Sequence, residues 1–429
     1  MTIVACSTPP GVSGIAVVRI SGKGAIKNIS TFVKNSPFDE KIPLSKVCFL
    51  VDKDGDVFDE AVVTSYISPN SYTGENLVEI SCHGNPKIIS KIIDLSVDAG
   101  SRLAEAGEFT KTAFLNGKLD LSEAEAVASI IHSLSLTGVK AGVKNLKGGL
   151  SKEIRSIKSS LISVVANLEF NLDISEEDLQ PNLLKQSEEA VLEVSKKLND
   201  CILCFEETKM FQSGASVVIL GPPNAGKSTL FNRLVNKNQS IVTSVEGTTR
   251  DVIEKNINIS GLPILLKDTA GIRDSGDDVE KIGVERSFVE AKDADLVVVL
   301  NDKGLSFGDT KHIHVFNKSD IKTPDEKYDI SISAKTGNGV KQLKDAIYKS
   351  LIGNKTQTDT LLISKRQCNA IKGALKHIKD AHSLLLAGDS IELLVEDINR
   401  SIDFLDSITK KTTKDDVLSA VFSSFCVGK

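Results

Sequence analysis

The sequence predicts a multidomain protein in which an α/β region, a helical domain and an inserted α/β unit follow one another. With 429 residues, the chain has room for two to four domains of the usual roughly 100 to 200 residues. Short β-rich runs separated by turn residues occupy the N-terminal region, and long amphipathic periods begin near residue 119. Strand-like runs return between residues 213 and 352 and alternate with helical periods, which is typical of a doubly wound sheet.

The individual elements rest on two periodicities. The N-terminal strand runs are Ile15 to Ile20, Val47 to Val51, Ala61 to Ser65 and Leu77 to Ser81. Apolar residues recur every three or four positions in three long stretches, which are Ile154 to Leu168, Ile371 to Leu385 and Ile391 to Leu405. That spacing places apolar side chains on one face, so each stretch predicts an amphipathic helix. The predicted domains are 1–118, 119–212, 213–352 and 353–429, of which the second and fourth form one helical domain.

Composition and charge exclude several classes of protein. Hydrophobic residues make up 41% and charged residues 25% of the chain, which fits neither a disordered protein nor a membrane protein. The longest apolar runs, such as Leu296 to Leu300, are too short to span a bilayer, so we expect no membrane partner. The net charge is −5, from 52 basic and 57 acidic residues. Any contact with nucleic acid must therefore use a local basic patch.

The cysteines indicate a reducing compartment. Seven cysteines are dispersed over the chain, which is not the pattern of a disulfide-stapled secreted domain, and the N-terminus has no secretory signal. We therefore expect a cytoplasmic protein. Cys201 and Cys204 form a CxxC pair inside a helical period, which favours core packing over redox or zinc chemistry because no second Cys or His pair follows.

A phosphate-binding motif follows a predicted buried strand. The apolar run Val217 to Leu220 leads directly into GPPNAGKS, Gly221 to Ser228, and then into a helical stretch. In this context the glycines let backbone N–H groups approach phosphates, Lys227 reaches the β and γ oxygens, and Ser228 ligates Mg²⁺. The sequence therefore predicts a nucleoside triphosphate site.

Three short motifs downstream predict that the nucleotide is GTP. DTAG, Asp268 to Gly271, follows an apolar run and supplies an acidic residue near the metal. Asp320 of Asn317-Lys318-Ser319-Asp320 can accept hydrogen bonds from the N1–H and 2-amino groups of guanine, a pair that adenine lacks. The backbone of Ser333-Ala334-Lys335 can meet the guanine O6. In this order the motifs resemble the Ras-like GTP-binding domain of the translation-factor-related GTPases.

Two features concern the chemistry of hydrolysis. Ile272 stands where Ras-like proteins carry a glutamine, so another residue must position the attacking water. A carboxylate among Asp274, Asp277, Asp278 and Glu280 can do so, although an exposed acidic loop explains the same residues. In the switch segment Glu246 to Asp251, Thr249 can complete the Mg²⁺ shell, while Asn224 and nearby carbonyls can hold a monovalent cation.

Strings from one end of the chain to the other resemble a single family. They are TPPGVSGIAVVRISG, SYTGENLVEISCHG, GEFTKTAFLNGKLDLSEAEAV, GPPNAGKS, EGTTRD and SSFCVGK. In combination they are similar to the tRNA uridine-5-carboxymethylaminomethyl modification GTPases, the MnmE or TrmE family. The resemblance implies an N-terminal domain that binds a tetrahydrofolate one-carbon derivative and forms a homodimer, and G domains that close on one another with K⁺.

The same resemblance implies partners and residue roles. The partner would be an FAD-dependent protein of the glucose-inhibited division protein A family, and the pair would modify the wobble uridine, position 34, at C5 in certain tRNAs. Arg19, Glu79, Lys118 and Lys429 would contact the folate, Glu280 would orient the water, and Asn224, Thr243, Val245 and Thr248 would ligate K⁺. The full predicted nucleotide and metal site is Asn224, Ala225, Gly226, Lys227, Ser228, Thr229, Thr243, Ser244, Val245, Glu246, Gly247, Thr248, Thr249, Asp268, Thr269, Ala270, Gly271, Asn317, Lys318, Asp320, Ser333, Ala334 and Lys335.

Several alternatives stay open at the level of sequence. Structural salt bridges explain Arg19, Glu79 and Lys118 without any folate. Cys426 is predicted as a catalytic thiol beside the folate, and a buried structural thiol is the alternative. A ribosome-assembly or RNA-binding GTPase would share every G-domain motif but should carry a basic RNA-binding module. A mechanical self-assembling GTPase would need no small-molecule pocket.

Overall fold

The structure is a computed structural model, and its chain divides into two compact units. It describes residues 1–172, 181–235, 253–268, 289–305, 307–308, 310–323, 328–353, 364–387, 390–409, 418, 421–423 and 425–429. The first unit combines Met1–Ala128, Asn145–Lys196 and Asn369–Lys429, and the second combines Ser129–Lys144 and Lys197–Cys368. The four predicted domain boundaries stay predictions.

A six-stranded sheet opens the first unit. Its strands are β1 (Ile3–Cys6), β2 (Ser13–Ser21), β3 (Leu44–Val51), β4 (Val57–Tyr66), β5 (Leu77–Gly84) and β6 (Arg102–Leu103). Their order is β3-β4-β5-β2-β1-β6, with only β1 and β6 parallel. All four predicted strand runs are confirmed. The strands β1 and β6 were not predicted, because runs of four and two residues are too short to show an alternating pattern.

The two faces of this sheet differ in burial. One face packs against α1 (Ala25–Ile29) and α2 (Pro86–Asp98) through side chains such as Ile80 and Ile92, both 0% exposed. The other face keeps large apolar side chains exposed, and these are Ile15, Val47, Phe49 and Val62 at 66%, 57%, 48% and 42%. Val47 pairs with Val62 across β3 and β4, whereas Val62 pairs with Ser81 and Phe49 with Glu60, so polar residues interrupt this outer apolar face.

Long helices follow the sheet along the chain. The helices after the sheet are α3 (Glu108–Leu115), α4 (Leu121–His132), α5 (Leu136–Leu146), α6 (Gly149–Leu172), α7 (Pro181–Ser213), α8 (Lys227–Leu234), α9 (Val340–Ile352), α10 (Lys365–Ala387) and α11 (Ile391–Thr409). The three predicted amphipathic stretches lie in α6, α10 and α11, and each helix buries one apolar face. Between α10 and α11, His377 Nδ1 lies 2.9 Å from an Asp397 oxygen. No helix in the described ranges is long and apolar enough to cross a membrane.

The second unit contains another six-stranded sheet. Its strands are β7 (Ala215–Leu220), β8 (Ile253–Ile259), β9 (Leu262–Asp268), β10 (Leu296–Leu300), β11 (His312–Asn317) and β12 (Ile330–Ile332). The order is β12-β11-β10-β7-β9-β8, and every neighbouring pair is parallel except β8 with β9. In such a sheet, ligands bind beyond the carboxyl ends of the strands, where the order reverses. β7 occupies that point between β9 and β10.

The segment 425–429 is held against the N-terminal strands of the first unit. Ser7 donates its hydroxyl to the Gly428 carbonyl at 2.9 Å, and Val427 pairs with Ala106. Gly428 has a φ of +95°, and a Cβ there would collide with the Cys6 carbonyl. Only glycine therefore lets this segment lie so close to β1.

We predict that Gly428→Ala loosens this segment, because the new Cβ meets backbone in a left-handed conformation that costs about 1 to 3 kcal/mol. Hydrogen exchange at residues 425–429 should accelerate while exchange in the sheet core stays slow. Gly14→Ala is the matched control, since a Cβ there has nothing within 4 Å. Equal protection of the segment in both variants would contradict the prediction.

Candidate functional site

The phosphate loop lies between a buried strand and a helix, as its motif requires. β7 is apolar and buried, and α8 begins at Lys227 directly after the loop. Gly221 has a φ of +153°, and a Cβ there would lie 2.5 Å from the Leu300 carbonyl oxygen. The strand-loop-helix context predicted from sequence is confirmed, and the first N–H groups of α8 are available to an anion.

Lys227 lies inside the loop that its motif builds. Its ammonium donates to the carbonyls of Gly221 at 2.8 Å and Pro222 at 3.1 Å. Burial lowers the pKa of Lys227, and the negative charge of Asp268 partly opposes that shift. Asp268 is buried at the end of β9, so the structure brings the first and second motifs together. Ser228 and Thr229 lie exposed in the first turn of α8.

Asn317 joins the phosphate loop to the third and fourth motifs. Its side-chain N–H donates to the Ala225 carbonyl at 2.8 Å, and its side-chain oxygen accepts from the Ala334 N–H at 2.9 Å. The residue is 3% exposed. Gly226 has a φ of +92°, and a Cβ there would collide with the Asn317 amide. The glycine of the motif therefore makes room for this amide as well as for phosphate.

The base-reading residues lie at the end of β11 and beside β12. Lys318 has a φ of +71°, and Asp320 is exposed. A hydrogen bond from the buried Ser333 hydroxyl lowers the pKa of Asp320, with Lys335 and Lys318 adding to the effect. The carboxylate is therefore ionised at neutral pH and can accept two hydrogen bonds. Ala334 is buried and Lys335 is exposed.

Two residues that support this site were not predicted from the sequence. Arg233, in the last turn of α8, donates to the carbonyls of Ala334, at 3.0 Å, and Lys335. Asn301 accepts from the backbone N–H of Asn317 at 2.7 Å. A basic residue at a helix C-terminus and an asparagine after a buried strand are common patterns. Neither one indicates its partner, because each contact joins segments far apart in the chain.

Part of the predicted site lies outside the described residues. These positions are Thr243, Ser244, Val245, Glu246, Gly247, Thr248, Thr249, Thr269, Ala270, Gly271 and Glu280. Within the described ranges, no group of three His, Cys, Asp or Glu side chains could hold a metal ion. Cys201 is buried and Cys204 is half-buried on α7, and neither forms a disulfide.

A second candidate site surrounds Arg19 on the outer sheet face of the first unit. Arg19 donates to one oxygen of Glu79 through Nε at 3.0 Å and Nη2 at 2.6 Å, and its side chain is 12% exposed. The guanidinium lies 5.2 Å from the ring centre of Tyr72 and 5.6 Å from that of Phe109. The other Glu79 oxygen lies 3.5 Å from the Tyr66 hydroxyl. The salt bridge allowed by the sequence is therefore present, in an aromatic surrounding.

Lys429 adds a second cation to this cluster. Burial and then the positive charge of Arg19 lower the pKa of Lys429, while Glu79 opposes the shift. Arg19 also approaches the Gly428 carbonyl at 3.4 Å. Lys118 donates to the Pro69 carbonyl at 3.1 Å, on the loop that carries Tyr72. Three of the four predicted folate residues are thus brought together, and the fourth, Lys118, follows α3 and contacts the loop that carries Tyr72.

Cys426 is exposed, so the interpretation as a buried structural thiol is wrong. The physical reason is the turn that precedes Lys429. Phe425 packs into the cluster of Phe114 and Phe422, and the Cys426 carbonyl accepts from the Gly107 N–H at 3.4 Å. With its neighbour buried and its backbone held, the Cys426 side chain faces solvent.

Known proteins with similar sequences match the whole chain. A family profile described as MnmE helical domain matches residues 121–426, and one described as GTP-binding protein TrmE N-terminus matches residues 2–118. A tRNA modification GTPase MnmE from Aquifex aeolicus is 38% identical, with 100% of this chain and 99% of the relative covered. One from Thermotoga maritima is 36% identical, with 100% of both covered.

Similar solved structures cover less of the chain. A point variant of Aquifex aeolicus Era bound to GDP·AlF4⁻ is 24% identical with a TM-score of 0.26, covering 38% of this chain and 66% of that one. The first profile spans well over half of the sequence, and the curated relatives exceed 30% identity over their full length. The family predicted from the sequence strings is confirmed, and the chain belongs to the MnmE (TrmE) family of tRNA modification GTPases.

Proposed function

We propose that the chain hydrolyses GTP and, with an FAD-dependent partner of the glucose-inhibited division protein A family, modifies C5 of the wobble uridine of certain tRNAs with a folate one-carbon unit. The observation that carries this proposal is the cluster of Arg19, Glu79 and Lys429. A ribosome-assembly or RNA-binding GTPase would need a basic RNA-binding module, and a mechanical GTPase would need no small-molecule pocket. A half-buried pair of cations among aromatic rings is instead suited to a flat, anionic small molecule.

The residues of this cluster fit a folate. Arg19 and Lys429 place a guanidinium and an ammonium beside Glu79, and both groups can bind a carboxylate of the glutamate tail. Glu79 can accept hydrogen bonds from a pterin, and the half-buried ring of Tyr72 can contact an aromatic ligand. When bound, the folate would supply the carbon that becomes attached to uridine. We assign Lys118 to the rim of the same site and Cys426, whose thiol is exposed, to the one-carbon chemistry.

The outer apolar face of the N-terminal sheet supports a homodimer. Ile15, Val47, Phe49 and Val62 are large apolar side chains exposed on this face, and exposed apolar patches rimmed by polar residues usually mark an interface. Arg19 pairs with Glu79 across β2 and β5. Val17 pairs with Ser81 two residues away along the same strands, so both pairs point to the same face of the sheet. The cluster around Arg19 therefore lies on this outer face. A second copy of the chain would cover both. Sedimentation of the full chain as a monomer at micromolar concentration would contradict the dimer.

The nucleotide site fits two metal ions. Ser228, together with Thr249, would hold Mg²⁺, because its hydroxyl lies exposed in the first turn of α8 beside Lys227. Asn224, exposed in the loop with a φ of +61°, would hold K⁺ with Thr243, Val245 and Thr248. Both ions would neutralise charge that develops on the phosphates, the task that an arginine finger performs elsewhere. Glu280 would orient the attacking water.

We predict that Asp320→Asn exchanges preference from guanine to xanthine. An amide can donate to the additional base oxygen of xanthine, whereas it loses the charged hydrogen bonds to guanine. Affinity for GTP should fall roughly 10- to 100-fold, as expected for about 1.5 to 3 kcal/mol. Titration of the variant with fluorescent GTP and with fluorescent xanthosine triphosphate measures the affinity for each nucleotide. Unchanged GTP affinity would mean that another residue reads the base.

Hydrolysis should depend on K⁺ and much less on Na⁺, because a carbonyl cage built for the larger ion fits the smaller one poorly. Single-turnover rates of GTP hydrolysis in the two chlorides, at matched ionic strength, test this. The affinity for GTP should differ little between the salts, since the cation acts mainly on charge that develops in the transition state. Equal rates of hydrolysis in both salts would contradict the binding of a monovalent cation at this site.

Lys429→Gln should weaken tetrahydrofolate binding by about tenfold or more, because a charged hydrogen bond contributes about 1.5 to 3 kcal/mol. Calorimetry of the full chain measures the affinity. Lys27→Gln, at an exposed lysine on α1, is the matched control and should bind as the wild type does. Equal affinities in the two variants would place the folate elsewhere.

Cys426→Ser should keep folate binding and GTP hydrolysis but lose uridine modification. The phosphate site is built from other segments of the chain, so the loss of an exposed thiol leaves it intact. Mass spectrometry of tRNA nucleosides from cells that carry only this variant measures the modification. Full modification of the uridine in cells with the variant would show that Cys426 takes no part in the one-carbon chemistry.

A further inference from the structure

A row of lysines follows the exposed face of α10. Lys372, Lys376 and Lys379 are all exposed and are spaced by four and three residues, so they stand above one another on one side of the helix. We refer to these three residues as the α10 lysine row. It extends roughly 10 Å along the helix axis. The opposite side of α10 is buried through residues such as Ile371 and Ile378, so the helix orientation is fixed by packing.

The row forms no ion pair within the residues that the structure describes, whereas Lys158 pairs with Asp406. The exposed Asp380 stands four residues after Lys376 and offsets part of the charge, which leaves the row net positive. The neighbouring helix α11 has the opposite character, with Glu392, Glu396 and Asp403 exposed. Positive charge is therefore concentrated on one helix, next to a helix whose exposed side is largely acidic.

We infer that the α10 lysine row binds the phosphate backbone of tRNA. This inference rests on the proposed function, which requires tRNA as substrate but assigns it no docking surface. A chain of net charge −5 repels a polyanion at long range, so binding needs a local patch. Lysines in a line along a rigid helix can meet successive phosphates, and each contact releases counterions. Such contacts position RNA without reading its sequence.

The experiment measures binding of fluorescently labelled tRNA to the full chain by anisotropy between about 50 and 200 mM salt. The triple variant Lys372→Gln, Lys376→Gln, Lys379→Gln removes three charges, and glutamine preserves helix propensity. We expect roughly tenfold weaker binding or more, and a slope of log affinity against log salt smaller by about 2 to 3. GTP hydrolysis and thermal stability should match those of the wild type.

The matched control is Lys34→Gln, Lys41→Gln, Lys87→Gln, which removes three exposed lysines from the N-terminal α/β region. This control should bind tRNA as the wild type does. Equal losses of tRNA affinity in the two triple variants would show that affinity follows net charge, and would contradict the α10 lysine row as a binding site. Wild-type affinity in the α10 variant would also overturn it and leave the proposed function standing. Failure of the wild type to bind any tRNA would instead overturn the proposed function.

Discussion

The buried side-chain amide of Asn317 is the contact on which the nucleotide site depends. It donates to Ala225 in the phosphate loop and accepts from Ala334 in the segment after β12. Both residues are buried, so loss of the amide would leave each backbone group without its partner at a cost of about 1 to 3 kcal/mol per group. The phosphate loop and the base-reading loop are thus fixed relative to each other by contacts within the protein. Pre-organisation of this kind lowers the cost of ordering a site during binding.

The same constraint explains residues whose chemistry is otherwise unremarkable. Gly226 must lack a Cβ because the Asn317 amide occupies that space, and Asn301 orients Asn317 by accepting from its backbone N–H. Arg233 then holds the Ala334 and Lys335 carbonyls from the side of α8. A helix that begins at the phosphate loop therefore ends at the base-reading segment.

Local patterns predicted most elements of the fold, because strands and helices follow from periods within a few residues. The outward faces of β3 and β4 could not be foreseen, since Val47 and Val62 look like core residues until the sheet is seen to pack on one side only. The nucleotide site was predictable because its motifs are contiguous strings. Tyr66 and Tyr72 were not, because their contacts with Glu79 and Arg19 come from segments brought together only by the sheet and its loops.

The cationic side chains of this protein differ in burial, and the degree of burial determines which kind of anionic ligand suits each of them. Lys227 and Lys429 both have a pKa lowered first by burial, so each ammonium has lost part of its hydration. An anionic group placed beside such a cation interacts in a low-dielectric surrounding, where a single contact is strong and directional. Exposed lysines such as Lys372 and Lys376 keep their water and contribute mainly through released counterions, which rewards many weak contacts in a line. Half-buried cations therefore suit the anionic groups of a small ligand, and an exposed row suits a polymer of phosphates.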